Sequence, residues 1–175
     1  MLVNLSKIMS TKGKVEHILA PLELKTFQQE GTDYAFGEVN PVELTITHLG
    51  DKRVSIEAST NLTVLIPCSR CLDDVETKFD IHVSKELDFN ESDEDRIKEL
   101  DEANYVKGFD LDVDQMIYDE ILIDFPISVL CKEDCKGFCN VCGMNLNHGT
   151  CSCESTSLDP RMAAIRDIFN NFKEV

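Results

Sequence analysis

A chain of 175 residues is long enough to build one domain around a real core, and its ordinary apolar and charged fractions argue against wholesale disorder. Seventeen basic residues against 33 acidic ones leave a formal net charge of -16, which argues against general electrostatic binding of nucleic acid and suits a basic partner. No apolar run approaches membrane-spanning length, and MLVNLSKIM lacks the apolar core and cleavage site of a signal peptide. The expectation is therefore a cytoplasmic protein in a reducing compartment, where eight cysteines point to metal rather than disulfides.

Along the chain, the first forty residues are the least legible. Leu2, Leu5, Ile8, Val15, Ile18, Leu22 and Leu24 suggest short elements broken by Gly13 and Pro21, and Thr32 to Gly37 reads as a connection. From Val42 the period becomes two. Val42, Leu44 and Ile46 alternate with polar neighbours, a turn follows at Gly50-Asp51-Lys52, and Val54, Ile56 and Ala58 alternate again, which predicts a β-hairpin. Asn61 to Ile66 reads as a further strand, Cys68 to Cys71 as a reversal, and Val75 to Phe89 as a long returning strand.

Glu91 to Glu102 is so acidic that it reads as a solvated loop. Tyr105, Val106, Phe109 and Leu111 look extended. Asp112 and Gln115 then resemble a capping box opening a helix whose apolar face is Val113, Met116, Ile117 and Ile121. Pro126 ends that helix near Phe125, and Ile127 to Leu130 reads as a strand delivering Cys131. Asp119, Glu120 and Asp124 read as solvated or rim carboxylates. A last helix is announced by Asp159 as N-cap and Pro160 in the first turn, with Ile165, Ile168, Phe169 and Phe172 at helical spacing.

The cysteines decide the chemistry. Two C-x-x-C turns, Cys68 to Cys71 and Cys139 to Cys142, each suit a pair of thiolates on one tetrahedral zinc ion. Chain continuity groups Cys139, Cys142, Cys151 and Cys153 as one site. Cys131 and Cys135 then join Cys68 and Cys71 in the other, clamping the sheet's hairpin to the C-terminal segment. An interleaved arrangement, with Cys135 and Cys142 exchanged, is the alternative. Four thiolates per ion leave no open position, so both Zn2+ sites are expected to be structural, each contributing on the order of 10 kcal/mol to folding. The spacings fit an iron–sulfur cluster or a thioredoxin-like redox pair less well. His148 lies in the second loop but is not expected to be a ligand, and neither are His17, His48 and His82. Arg70, Lys132 and Lys136 flank the ligands. They would offset thiolate charge or, together with Phe138 as a stacking surface, contact RNA or a partner.

The ordered set PCSRCL, LCKEDCKGFCNVCGMNLN, CSC and LDPRMAAI resembles the YceD family of bacterial and plastid proteins, over most of the chain. The resemblance implies a role in 23S ribosomal RNA accumulation or processing and in large-subunit assembly, with no known catalytic residues. Some family members keep the PCSRCL pair and the pair at Cys131 and Cys135 without the later four cysteines. Family genes commonly neighbour one for a small basic zinc-ribbon protein of the large subunit, which an acidic escort would suit.

The expected architecture is a single α+β domain over residues 1–175. Residues 40–130 form an antiparallel sheet or partial barrel plus helix core. Residues 131–175 hold the zinc-binding segment, with one helix before the cysteine-rich stretch and one after it. The expected function is a non-enzymatic factor binding a basic large-subunit ribosomal protein or a 23S rRNA precursor, with no membrane and no small-molecule substrate. Direct rRNA binding through the zinc knuckle is the alternative. A metal-dependent nuclease is a third reading, disfavoured because no phosphate-cradling loop or nucleophile motif is present.

Overall fold

The computed structural model describes residues 1–90 and 104–153. The acidic stretch at 91–102 and the last helix expected from Asp159 lie outside the described residues. The described residues divide into two compact units, one drawn from Met1–Pro67 and Asp74–Val129, the other from Cys68–Asp73 and the residues from Leu130 to Cys153.

Among the described residues, the first unit is mostly β, a curled antiparallel half-barrel sheet plus one α-helix. Its strands are β1 (Leu2–Asn4), β2 (Val15–Ala20), β3 (Thr26–Gln29), β4 (Thr32–Val39), β5 (Val42–Gly50), β6 (Arg53–Pro67), β7 (Asp74–Asp88), β8 (Val106–Lys107) and β9 (Asp110–Asp112). The main sheet runs β2-β5-β6-β4-β3, with β7 also paired to β6, while β1, β9 and β8 form a small second sheet. The mainly β character corrects the expected α+β balance. The four strands before Val42 explain the difference, because their apolar alternation is too short or too broken to be read without their partners. Thr32 to Gly37 is no connection but most of β4, held between β3 and β6.

The predicted hairpin is β5–β6, closed on Asp51 and Lys52, which both adopt left-handed backbone conformations as a two-residue turn requires. The expected separate strand from Asn61 is instead the second half of β6, which runs unbroken for 15 residues. One alternation carries it: Val54, Ile56, Ala58, Thr60, Leu62, Val64 and Ile66 are all buried. Each large aliphatic on that face contributes roughly 1.5–3 kcal/mol of burial as an upper estimate. Strand β7 pairs β6 along its whole length, from Arg53 opposite Asp88 to Pro67 opposite Asp74. That full-length pairing makes Cys68–Asp73 the connection between two long strands.

The helix α1 (Val113–Ile123) precedes the cysteine-rich segment and buries the predicted face, Val113, Met116, Ile117 and Ile121. Asp112 caps it by accepting from the Gln115 amide at 3.3 Å. Gln115 does not reach back as in a capping box. Its side chain donates forward to the Asp119 carboxylate at 2.8 Å, because a charged acceptor one turn on forms the stronger bond. Phe27 lies at the centre of an aromatic cluster, with Tyr118 at 4.9 Å and Phe125 at 5.2 Å between ring centroids. After Ile123 the chain is irregular through Leu130, so the strand expected at Ile127 to Leu130 does not form. Pro126 removes a donor there, and Ile127 is fully exposed rather than alternating inward.

Among the described residues, no helix is long and apolar enough to cross a membrane.

Candidate metal centre

Each C-x-x-C turn folds in the same way. The Leu72 amide donates to the Cys68 carbonyl at 3.0 Å, and the Gly143 amide donates to the Cys139 carbonyl at 2.8 Å. The residue after the second cysteine must then take a left-handed conformation, with φ of 62° at Leu72 and 72° at Gly143. This curl aims backbone amides at the first sulfur of each turn. Burial by itself would push the Cys68 thiol up, but the amides of Arg70, Cys131 and Cys71 outweigh it and bring it down to about 6. The amides of Cys142 and Val141 bring Cys139 down to about 6 in the same way.

The structure brings the eight cysteines into two groups, Cys68, Cys71, Cys131 and Cys135, and Cys139, Cys142, Cys151 and Cys153. This is the sequential grouping, with Cys135 and Cys142 not exchanged. Within each group all four sulfurs lie within 4.8 Å of one another. Cys68 and Cys135 sulfurs are 3.8 Å apart, and Cys71 and Cys131 sulfurs 3.5 Å. A disulfide needs about 2.05 Å. Four sulfurs about 2.3 Å from one tetrahedral zinc ion sit about 3.8 Å from each other, so the spacing fits a metal and not a bond.

Electrostatics agree with the donor set. The Asp73 amide favours the Cys71 thiolate, but burial and the neighbouring thiols of Cys68, Cys131 and Cys135 push that thiol up. Cys142, burial and Cys139 push Cys153 up to about 12. In each group some thiols ionise readily at the expense of others. A divalent cation removes that conflict, because a coordinated thiol loses its proton outright. Each group could therefore hold a metal ion.

The two groups differ in their surroundings. Cys68, Cys71 and Cys135 are buried and only Cys131 is exposed, whereas in the second group Cys139 is buried, Cys151 and Cys153 are half-buried and Cys142 is exposed. Side chains that sequence reasoning did not single out surround the first group. The Asn147 side-chain amide donates to Cys135 Sγ at 3.3 Å and holds that thiol below its ordinary value. Asn145 donates to the Asp73 carboxylate at 2.7 Å, and Cys71 Sγ lies 3.3 Å from the same carboxylate oxygen. These two contacts, Asn145 first, hold the Asp73 carboxyl below the usual range. The one signal for them in the sequence is Asn-Leu-Asn between two ligand pairs, which reads as an ordinary loop. Gly137 permits the close packing: a Cβ there would lie 3.0 Å from the Arg70 carbonyl oxygen, and its φ is +74°.

The other candidate residues are also placed. Arg70 donates from Nη1 to the Cys135 carbonyl at 3.1 Å, so its guanidinium braces the first group. Lys136 and Phe138 line one groove of about 420 Å³ beside the second group, with Val141, Leu146, Cys151 and Cys153. Lys132 is exposed, and its carbonyl accepts the Cys135 amide at 3.2 Å. His148 Nε2 sits 3.4 Å from Asp73 and joins neither sulfur group. His17 contacts Thr45, His48 contacts the Thr11 carbonyl and His82 contacts Asp80.

The family model described as large ribosomal RNA subunit accumulation protein YceD matches residues 56–169, a span that includes all eight cysteines. This chain belongs to the YceD family. It is 27% identical to the uncharacterized protein YlbN of Bacillus subtilis over 124 residues, 70% of each chain. It is 32% identical to the uncharacterized protein Rv2926c of Mycobacterium tuberculosis over 79 residues, 45% of this chain and 38% of the relative. A Mycobacterium leprae protein, ML1660, is 26% identical over 93 residues, 53% of this chain and 43% of its own length. The chain thus spans less than half the length of these mycobacterial relatives. No solved structure matches.

Proposed function

We propose that this YceD-family chain is a non-enzymatic cytoplasmic factor that supports 23S rRNA accumulation and large-subunit assembly by binding a basic ribosomal protein or precursor particle. The observation that carries this reading is the family match, which covers both cysteine groups and bears the large ribosomal RNA subunit in its description. The net charge of -16 supports a basic protein partner over bare RNA. Two Zn2+ ions, each on four thiolates, serve as structural ligand sets with no open position for chemistry.

Affinity capture from cells, with and without RNase, tests the reading. Large-subunit ribosomal proteins should remain bound after RNase and leave as salt is raised. Capture that RNase abolishes, together with tight binding to purified 23S rRNA at physiological salt, overturns it.

One observation favours direct RNA contact as a second reading: Lys136 and the half-exposed Phe138 line one groove beside the second cysteine group. A cation next to an exposed aromatic ring suits a stacked, unpaired base. Replacing Lys132, Lys136 and Phe138 by Ala should then abolish rRNA crosslinking with zinc content unchanged. An unchanged crosslink rejects it.

A further inference from the structure

The segment from Met144 to Thr150 lies between Cys142 and Cys151, so metal in the second group ties down both its ends. Yet its asparagines serve the first group. Asn147 donates to Cys135 Sγ at 3.3 Å, and its Oδ1 accepts the Lys136 amide at 2.9 Å, so it holds the Cys135 turn on both sides. Asn145 Oδ1 accepts from both the backbone and the side-chain amide of Asn147, at 2.9 and 3.0 Å, and orients it. Asn145 also donates at 2.7 Å to Asp73, whose carboxylate lies 3.3 Å from Cys71 Sγ. Backbone bonds seat the same loop: Cys139 N to the Met144 carbonyl at 2.8 Å and Leu146 N to the Gly137 carbonyl at 2.9 Å.

We propose that Asn145 and Asn147 are positioning residues that link the two cysteine groups into one cooperative metal-binding system, in which loading either group raises the affinity of the other. The inference rests on the two-zinc reading above. Its physical basis is that outer hydrogen bonds orient ligands and commonly change metal affinity 10- to 100-fold. A loop closed by one metal presents its donors to the other group already ordered, and such coupling is reciprocal.

The test uses full-length protein and Zn2+ in competition with a chelator. Cys142→Ser/Cys153→Ser reports the affinity of the first group alone, and Cys68→Ser/Cys71→Ser that of the second alone. The product of these two affinities is compared with the overall two-zinc affinity of the unaltered chain. The expected ratio is about ten-fold or more in favour of the unaltered chain, falling to about one when all three measurements are repeated with Asn145→Ala/Asn147→Ala. A ratio near one in the unaltered chain, or a ratio that the asparagine replacements leave unchanged, overturns the proposal.

If a cysteine variant does not fold, native mass spectrometry of the eight-cysteine chain gives the same answer. At half saturation, independent groups leave at least half of the molecules with one zinc ion, so the unaltered chain should show less than half and Asn145→Ala/Asn147→Ala half or more; a share of half or more in the unaltered chain rejects the coupling. Total metal separates the two failures. Fewer than two zinc ions per unaltered chain defeats the two-zinc reading itself, while two ions without coupling defeats only the link.

Discussion

The two C-x-x-C turns have the same backbone and different residues at the same strained point. Cys68 to Leu72 and Cys139 to Gly143 each close with an amide on the first cysteine's carbonyl, and each ends in a left-handed residue. Glycine reaches that conformation without a steric penalty, while a side chain with a Cβ costs roughly 1–2 kcal/mol there. Leu72 recovers little of this by burial, since 64% of it is exposed. The closing hydrogen bond therefore sets the same final backbone conformation at both turns. It does not choose the residue that has to adopt it.

The largest test of this comparison removes one ligand from each group. Cys135→Ser and Cys142→Ser should each cost one zinc ion per chain. Cys135→Ser should open the protein more to limited proteolysis, because the first group joins residues as far apart as Cys68 and Cys135, 67 positions, and closes the longer loop. Greater susceptibility in Cys142→Ser would reverse the ranking of the two groups.

Gly137→Ala comes next. The added methyl would meet the Arg70 carbonyl oxygen at 3.0 Å on a backbone with φ of +74°. A loss of about 1–3 kcal/mol is expected in thermal unfolding. A neutral result would mean that the approach to the first turn is looser than the distance implies.

Exchanging the fifth residues sharpens the comparison directly. Leu72→Gly should stabilise the zinc-loaded protein by roughly 1 kcal/mol, and Gly143→Leu should destabilise it by about 1–2 kcal/mol. Space does not oppose the second change, since nothing lies within 4 Å of a Cβ at Gly143. Denaturant midpoints for both variants decide this, and a loss of stability in Leu72→Gly would show that the leucine side chain holds the turn.

The smallest expected effect is on pH. Cys68 and Cys139 are acids whose folded values are depressed from 9.0 to about 6. Their contribution to folding is fully present above 9 and is lost as pH falls through about 6. A bound cation moves that loss lower still, so zinc should be retained at pH 7 and released in the acid range below about 6. The second group, in which only Cys139 is buried against three buried cysteines in the first, should empty at slightly higher pH than the first. Zinc content after stepwise acidification of the Cys142→Ser/Cys153→Ser and Cys68→Ser/Cys71→Ser chains orders the two. The reverse order would mean that exposure does not govern release.

The legible parts of the fold and site share one property: their signals are local. Alternation over Val42 to Ala58, the Asp112 cap and the face from Val113 to Ile121 can each be read within a few residues. The strands before Val42 could not be read so. Strand β4 contains Gly37 and a register shift between Phe36 and Val39, and β2 buries fully only Ala20. Their extended state depends on pairing to β5 and β6, residues distant in sequence.

The sequence on its own pointed to two groups of four thiols able to hold metal, because soft donors in C-x-x-C turns carry their pairing in spacing, and it left the sequential and the interleaved grouping both open until the fold chose the sequential one. It also determined the acidic charge and, through the ordered cysteine motifs, the family. Only the tertiary structure decided which polar side chains surround the sulfurs. Asp73, Asn145 and Asn147 carry no spacing rule, and a hydrogen bond to a ligand arises only once distant segments have been brought to within about 3 Å of it.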